Sequence, residues 1–167
     1  PDGKSCQTMK ELSEKELKNK AEAYCSAAEH CPSEVETKLR QWGASDDWIG
    51  CVLQDLEKDR FIDVNRFCRA FVRDKYRFAG WGRVKIVQAL KMKRLPEAAI
   101  AAGLEDIDEE EYMQGLSELL NRKKRGVTGR NEYERNMKLL RFAAGRGYTT
   151  EEVRKCLKET WEDEPVE

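Results

Sequence analysis

The stretch Val35-Glu-Thr-Lys-Leu39-Arg-Gln-Trp-Gly-Ala44-Ser-Asp-Asp-Trp-Ile49-Gly-Cys-Val-Leu53 decides the fold, because its apolar positions recur twice along the chain. Shifting Val35, Leu39, Ala44, Ile49 and Leu53 by 51 residues lands on Ile86, Leu90, Leu95, Ile100 and Leu104. A further shift of 53 lands on Leu139, Ala143, Tyr148, Val153 and Leu157. Every one of these positions is apolar or Tyr. Four-residue steps on either side of a turn are the signature of a helix-turn-helix unit, here copied along the chain. Units in tandem bury their faces against their neighbours and present a long, shallow surface rather than a closed pocket. The expected fold is all-α: an elongated, curved array of three tandem three-helix repeats, suited to binding more than to catalysis.

Helix-start signals extend this reading to the whole chain. Ser33-x-x-Glu36 reads as a capping box, with Pro32 before it and Gly43 available to end the helix. Ser45 caps the next helix, whose core face is Trp48, Ile49, Val52, Leu53 and Leu56. Asp63 caps a helix carrying Phe67, Phe71 and Phe78. After Gly80-Trp81-Gly82 comes a helix with Val84, Ile86, Val87 and Leu90, and Pro96 suits the first turn of a short helix with Ile100 and Leu104. Asp108-x-x-Glu111, Asn131-x-x-Glu134 and Thr149-x-x-Glu152 open the remaining helices. No stretch alternates as a strand does. The result is nine helices in three repeats over 11–60, 61–107 and 108–160, with a flexible arm over 1–10 and an acidic tail over 161–167. Each repeat has roughly six to eight core side chains, so neighbours share packing without a large common core.

The 167 residues are 38% charged and 40% hydrophobic, wetter than a compact enzyme, as slender modules are. No apolar run approaches the ~18 residues of a membrane span, and no secretory signal is legible ahead of the helices. A start at Pro1, without Met, is expected of a trimmed chain. Six cysteines, at 6, 25, 31, 51, 68 and 156, include no C-x-x-C pair, and His30 is the one histidine. Cys25, His30 and Cys31 lack a fourth metal ligand, and Cys51 and Cys68 sit among apolar helix residues. Reduced thiols in a cytoplasmic protein, with no metal and no cofactor, are the expectation.

The net charge of −1 hides a block pattern. From Arg66 to Arg94 ten basic residues face only Asp74, a local charge of +9. Glu97 to Glu118 is acidic, and Arg122-Lys123-Lys124-Arg125 starts a second basic block running through Arg130, Arg135, Lys138, Arg141 and Arg146. Blocks of this kind keep strong local potentials although the sum is near zero. Arg66, Arg69, Arg73 and Arg77 recur every 3 or 4 residues on one helix face, with no acid at i+4. The stripe suits a polyanion or an acidic protein face. Trp81, between two glycines, either stacks on a base or folds back over a helix junction.

No catalytic constellation is legible. His30 and Cys31 are neighbours without an orienting third group. Glu109-Glu110-Glu111 at a helix start is accounted for by the helix dipole. H-E-x-x-H, G-x-S-x-G and phosphate-loop spacings are absent from the sequence. The expectation is a protein that is not an enzyme.

Asp63-Val-Asn-Arg-Phe67-Cys-Arg-Ala-Phe71-Val-Arg-Asp-Lys75, then Gly82-Arg-Val-Lys-Ile86-Val-Gln-Ala-Leu90 and Ile100, resembles the central motif of the RecX regulators of the bacterial RecA recombinase. Ser33-Glu-Val35-Glu36 with Leu39 resembles the first repeat of that family, and Leu140-x-x-x-x-Gly145-Arg-Gly-Tyr148 its third. The chain departs from the family pattern at Val64 and Cys68, where a second acid and a small Ala are usual, and at Arg94, where Gly is usual. The resemblance implies a cytoplasmic monomer that binds RecA–single-stranded DNA filaments, limits their growth and depresses ATP hydrolysis and strand exchange, with duplex DNA at most a weak partner. The candidate contact set is Arg66, Arg69, Arg73, Lys75, Arg77, Arg83 and Lys85, then Lys123, Lys124 and Arg125. The alternative is a helix-turn-helix transcription factor, against which the acidic helix starts Asp46-Asp47, Glu97 and Glu151-Glu152 argue.

Overall fold

The computed structural model describes the backbone of residues 3–157 and the side chains of 14–157. Among these residues the chain forms α1 (Gly3–Ala27), α2 (Pro32–Gln41), α3 (Asp46–Lys58), α4 (Val64–Asp74), α5 (Arg83–Met92), α6 (Glu97–Glu105), α7 (Glu109–Lys124), α8 (Glu132–Gly145) and α9 (Thr150–Cys156). A π-helical turn, Lys75–Ala79, prolongs α4. The described residues contain no strand. Helices α1–α3, α4–α6 and α7–α9 form three successive repeats, and no extensive contact joins the first to the third. The residues set apart as an arm, 1–10, enter α1 at Gly3. The acidic tail over 161–167 lies outside the described residues.

Most starts follow the capping signals. Ser45 accepts from the Trp48 N–H at 3.4 Å, Asp63 from Arg66 at 3.0 Å, Asp108 from Glu111 at 3.1 Å and Asn131 from Glu134 at 2.9 Å. Thr149 and Glu152 close a reciprocal box at 3.1 and 2.8 Å. Helix α2 corrects the sequence reading. Its cap is Cys31, two residues before Ser33, and Glu34 reaches back to accept the Cys31 N–H at 3.2 Å. Proline explains the shift: Pro32 has no N–H to satisfy and a preset φ, so it sits inside the first turn and pushes the cap back.

Twelve of the fifteen recurring positions are buried, while Ala44, Leu53 and Leu104 are half-buried. The turn between the second and third helices of each repeat also recurs. Gly43, Arg94 and Gly147 stand at matching positions, with φ of 89°, 61° and 97°. Each turn therefore needs the left-handed backbone that glycine adopts freely.

The core differs from expectation. Leu17, Ala21, Cys25, Val35, Leu39, Ile49, Val52, Leu56 and Ile62 make a core for the first repeat alone. The second and third repeats share one continuous core, from Phe67, Ile86 and Leu90 through Tyr112 and Leu116 to Leu139, Tyr148 and Val153. A large common core does exist, and side-chain counts within each repeat could not reveal it. The aromatic residues Tyr76, Tyr112 and Tyr148 form its spine, with ring centroids 6.1 and 5.5 Å apart.

Bare backbone contact closes this junction. The Gly82 N–H donates to the Arg146 carbonyl at 2.7 Å, and the Val84 N–H to the Gly147 carbonyl at 3.0 Å. A Cβ on Gly82 would lie 2.4 Å from the Gly147 backbone, and one on Gly147 would lie 2.4 Å from Lys85 Cβ. Gly82→Ala or Gly147→Ala is therefore expected to destabilise the protein by about 3 kcal/mol or more, read by urea unfolding. Gly50→Ala is the control: it lies within α3 with nothing within 4 Å of a new Cβ, and should stabilise by up to about 1 kcal/mol.

Candidate partner-binding surface

The basic block of the second repeat sits on α4, the π-helical turn and α5. Along the exposed side of α4 the arginines recur as the sequence spacing requires, but carboxylates from other elements reach most of them. Arg66 donates to Glu29 at 2.5 Å and to the carbonyls of Arg60 and Phe61 at 3.1 and 3.3 Å. Arg69 faces Asp106 at 3.8 Å, and Arg77 is paired with Glu111. Arg83 is paired with Glu109 and lies 3.1 Å from Glu152, with its guanidinium 4.2 Å over the Tyr112 ring. Burial opposes the Arg83 charge, but Glu109, Tyr112 and Glu152 hold its pKa above the ordinary value.

These four arginines are therefore fasteners between elements before they are contacts for a partner. The stripe read from α4 alone is interrupted, because its acids arrive from the loop after α1 (Glu29), the cap after α6 (Asp106) and α7 (Glu111), far away in sequence. Glu109 and Glu111, read as helix-dipole residues, also do this pairing across repeats.

Four cations of the block make no ion pair among the described residues: Arg73, Lys75, Lys85 and Lys91. Two of them converge on Trp81. The Lys75 ammonium lies 4.6 Å from its ring centroid and Lys85 lies 4.5 Å away, while Phe71 meets its edge at 6.3 Å. The Gly80-Trp81-Gly82 segment is thus packed, with Trp81 half-buried over the junction. Two ammonium groups on one indole, with no carboxylate at hand, concentrate positive potential at this spot.

The second basic block repeats the motif. Lys123 lies 4.9 Å and Arg146 5.2 Å from the Phe142 ring. Arg146 also donates to the Ala79 carbonyl at 3.4 Å, one residue before the Trp81 loop. The two blocks, separated in sequence by the acidic stretch from Glu97 to Glu118, therefore meet in one run from Lys85 and Lys75 through Trp81 and Arg146 to Lys123. Lys124 and Arg125 are exposed at the end of α7, without an ion pair among the described residues. Sequence reading named the lysines but missed Phe142 and the bridging role of Arg146. No local spacing encodes a contact between repeats.

The junction of the first and second repeats is polar. Besides Arg66–Glu29, it holds Lys93–Glu34 at 2.9 Å and Arg94–Glu36 at 2.6 Å, with Cys31 inserted into the core of the second repeat. Burial works against the Glu34 charge, but hydrogen bonds from Lys93, the Cys31 N–H and His30 win and hold its pKa low. Hydrogen bonds from Arg40 and Arg94 do the same for Glu36.

His30 stacks on Tyr24 at 3.7 Å and contacts Glu34 at 3.2 Å, while the Cys31 sulfur lies 3.2 Å from Ser33 Oγ. Burial pushes the Cys25 and Cys68 thiols up to about 11, and Cys51 is exposed rather than among the core residues. Among the described residues no group of three His, Cys, Asp or Glu side chains is placed to hold a metal ion, and no helix is long and apolar enough to cross a membrane.

Family models described as the second and third three-helix domains of RecX match residues 65–104 and 109–157, more than half of the chain. A Regulatory protein RecX of Herbaspirillum seropedicae is 30% identical over 148 residues, covering 89% of this chain and 93% of that one. The Regulatory protein RecX of Prosthecochloris aestuarii is 29% identical over 141 residues, covering 84% and 91%. A crystal structure of regulatory protein RecX superposes with a TM-score of 0.82 at 19% identity, over 95% of this chain and 80% of its own, a likeness of fold.

The polar junction carries a pH expectation. Glu34 and Glu36 have folded pKa values below their unfolded ones, so their stabilisation is complete above about pH 4.3 and fades as pH falls through the folded values. Small-angle scattering should show the first repeat loosening from the other two below about pH 4, while near-ultraviolet circular dichroism of the shared tyrosine core stays native. Loss of both signals at one pH would refute this.

Proposed function

The chain belongs to the RecX family of regulatory proteins, and from that premise we propose that it binds RecA recombinase filaments on single-stranded DNA and restrains them. In this reading it slows filament growth, ATP hydrolysis and strand exchange, acting as a cytoplasmic monomer with no cofactor. The observation that carries it is the run of cations without carboxylate partners around Trp81 and Phe142, spread over two repeats rigidly joined by a common core. A nucleoprotein filament is a long, regular polyanion, and a long rigid basic face gains contacts on it that a small globule cannot.

The contact set narrows to Arg73, Lys75, Lys85 and Lys123, with Lys124 and Arg125 beside them. Arg66, Arg69, Arg77 and Arg83 serve first to fasten helices to one another. The transcription-factor alternative is disfavoured by the first turns of α3, α6 and α9, which carry Asp46 and Asp47, Glu97, and Glu151 and Glu152. Carboxylates there would face a phosphate backbone.

Added to RecA on single-stranded DNA, the protein is expected to lower the ATPase rate. An unchanged rate at excess protein would overturn the proposal. The triple variant Arg73→Glu, Lys75→Glu, Lys85→Glu should need at least about tenfold more protein for the same effect. Where DNA phosphates are the contacts, the salt slope of binding should fall by about 0.7 per cation removed. Arg83→Ala separates the two roles, because it should loosen the junction of the second and third repeats and lower the thermal midpoint.

A further inference from the structure

We infer that Phe78 is an anchor that inserts into an apolar pocket on a protein partner, the pocket carrying a carboxylate at its rim. This rests on the proposed filament-binding function and assigns one component of the filament to one residue. The sequence reading set Phe78 on the helix that carries Phe67 and Phe71, and the structure puts its ring in solvent, 83% exposed. The cause is the π-helical turn Lys75–Ala79, whose wider winding inserts a register shift after α4. Tyr76 continues the buried Cys68 and Val72 face, 6% exposed and packed on Tyr112, and two residues on Phe78 is turned outward.

The exposed residues of this face are Arg69, Arg73, Asp74, Arg77 and Phe78. Asp106 and Glu111 occupy Arg69 and Arg77. Arg73 is left without an ion pair among the described residues, within two turns of the ring, and calls for a carboxylate from outside. Gly80 follows at φ 67° and ends the turn, so the ring stands on a short ledge rather than on a flexible loop.

A large ring in water, held on a helical element one residue from Arg77 and five from the unpaired Arg73, has the make-up of an aromatic and arginine interface anchor. Nucleic acid is the less suited occupant. Base stacking needs a platform flush with a cationic groove, and Trp81 has those cations, while no described cation lies over Phe78. The geometry therefore divides the labour, with Phe78 and Arg73 toward protein and the cations on Trp81 and Phe142 toward phosphate.

The test compares wild type, Phe78→Ala and Phe78→Leu for binding to single-stranded DNA alone and to RecA–single-stranded DNA filaments. Phe78→Ala should weaken filament binding at least tenfold, leave DNA binding within twofold and leave the thermal midpoint nearly unchanged, because the ring packs on little. Phe78→Leu should recover part of the loss. Filament binding of Phe78→Ala equal to wild type would overturn the inference. An equal loss on bare DNA would also overturn it, and would assign the ring to a base instead. A wild-type protein that ignores the filament would end the wider functional reading and this one with it.

Discussion

Everything the second and third repeats do together depends on two glycines whose backbones touch. Gly82 and Gly147 approach so closely that either Cβ would lie inside van der Waals contact with its neighbour. That approach lets Gly82 donate to the Arg146 carbonyl and Val84 to the Gly147 carbonyl. It also brings the Arg83 N–H to the Tyr112 hydroxyl at 2.9 Å, and that hydroxyl on to Glu152 at 3.3 Å. Burial and the Glu152 charge push the Tyr112 phenol far above its ordinary range, outweighing the Arg83 N–H, so it stays neutral near pH 7. A buried, neutral donor-acceptor in a closed hydrogen-bond chain is satisfied and rigid. The junction behaves as part of one core, and the basic run laid across it has a fixed shape.

The same architecture sorts the positive charges. An arginine within reach of a carboxylate from another helix forms a planar, paired contact and fixes geometry. Exposed pairs of this kind contribute only about 0–1 kcal/mol each, so their value lies in placement more than in stability. The lysines cannot fork in this way, and Lys75 and Lys85 settle on the Trp81 indole while their charge stays uncompensated. Most arginines of the block are thus paired and most of its lysines are not, with Arg73 and Lys93 as the exceptions. A count of +9 over the block overstates the free charge by more than half, since six of its ten cations are paired.

What the sequence makes legible is what depends on neighbours along the chain. Helical period, caps at Ser45, Asp63, Asp108, Asn131 and Thr149, and the recurring turn are all set within a few residues, and all were readable. The π-helical turn was not: the helix expected to carry Phe67, Phe71 and Phe78 without a break changes its winding after Asp74. The cap of α2 was misread because a good Ser-x-x-Glu box lay two residues beyond the place that Pro32 dictates. The Trp81 packing, the Arg146 bridge and the shared core depend on contacts between repeats, which no local pattern carries. The candidate site was legible as a charge block, but not as a sorted set of paired and unpaired residues.

Arg94 shows how the two junctions differ in kind. Gly43 and Gly147 take the left-handed turn with almost no strain, whereas Arg94 takes it at φ 61° with a Cβ, at a cost of order 1 kcal/mol. Its guanidinium pairs with Glu36 of the first repeat at 2.6 Å, and it is 68% exposed there, so the pair recovers at most about the same amount. Stability alone gives no reason to prefer arginine over glycine. Orientation does, because Glu36 lies on α2, which has few other attachments to the second repeat beyond Glu34 and Cys31. Where the second and third repeats are locked by shared apolar volume, the first is steered by a few charged contacts that water and salt can exchange. The array is therefore a rigid two-repeat body with a polar-jointed third member, and its basic run lies wholly on the rigid part.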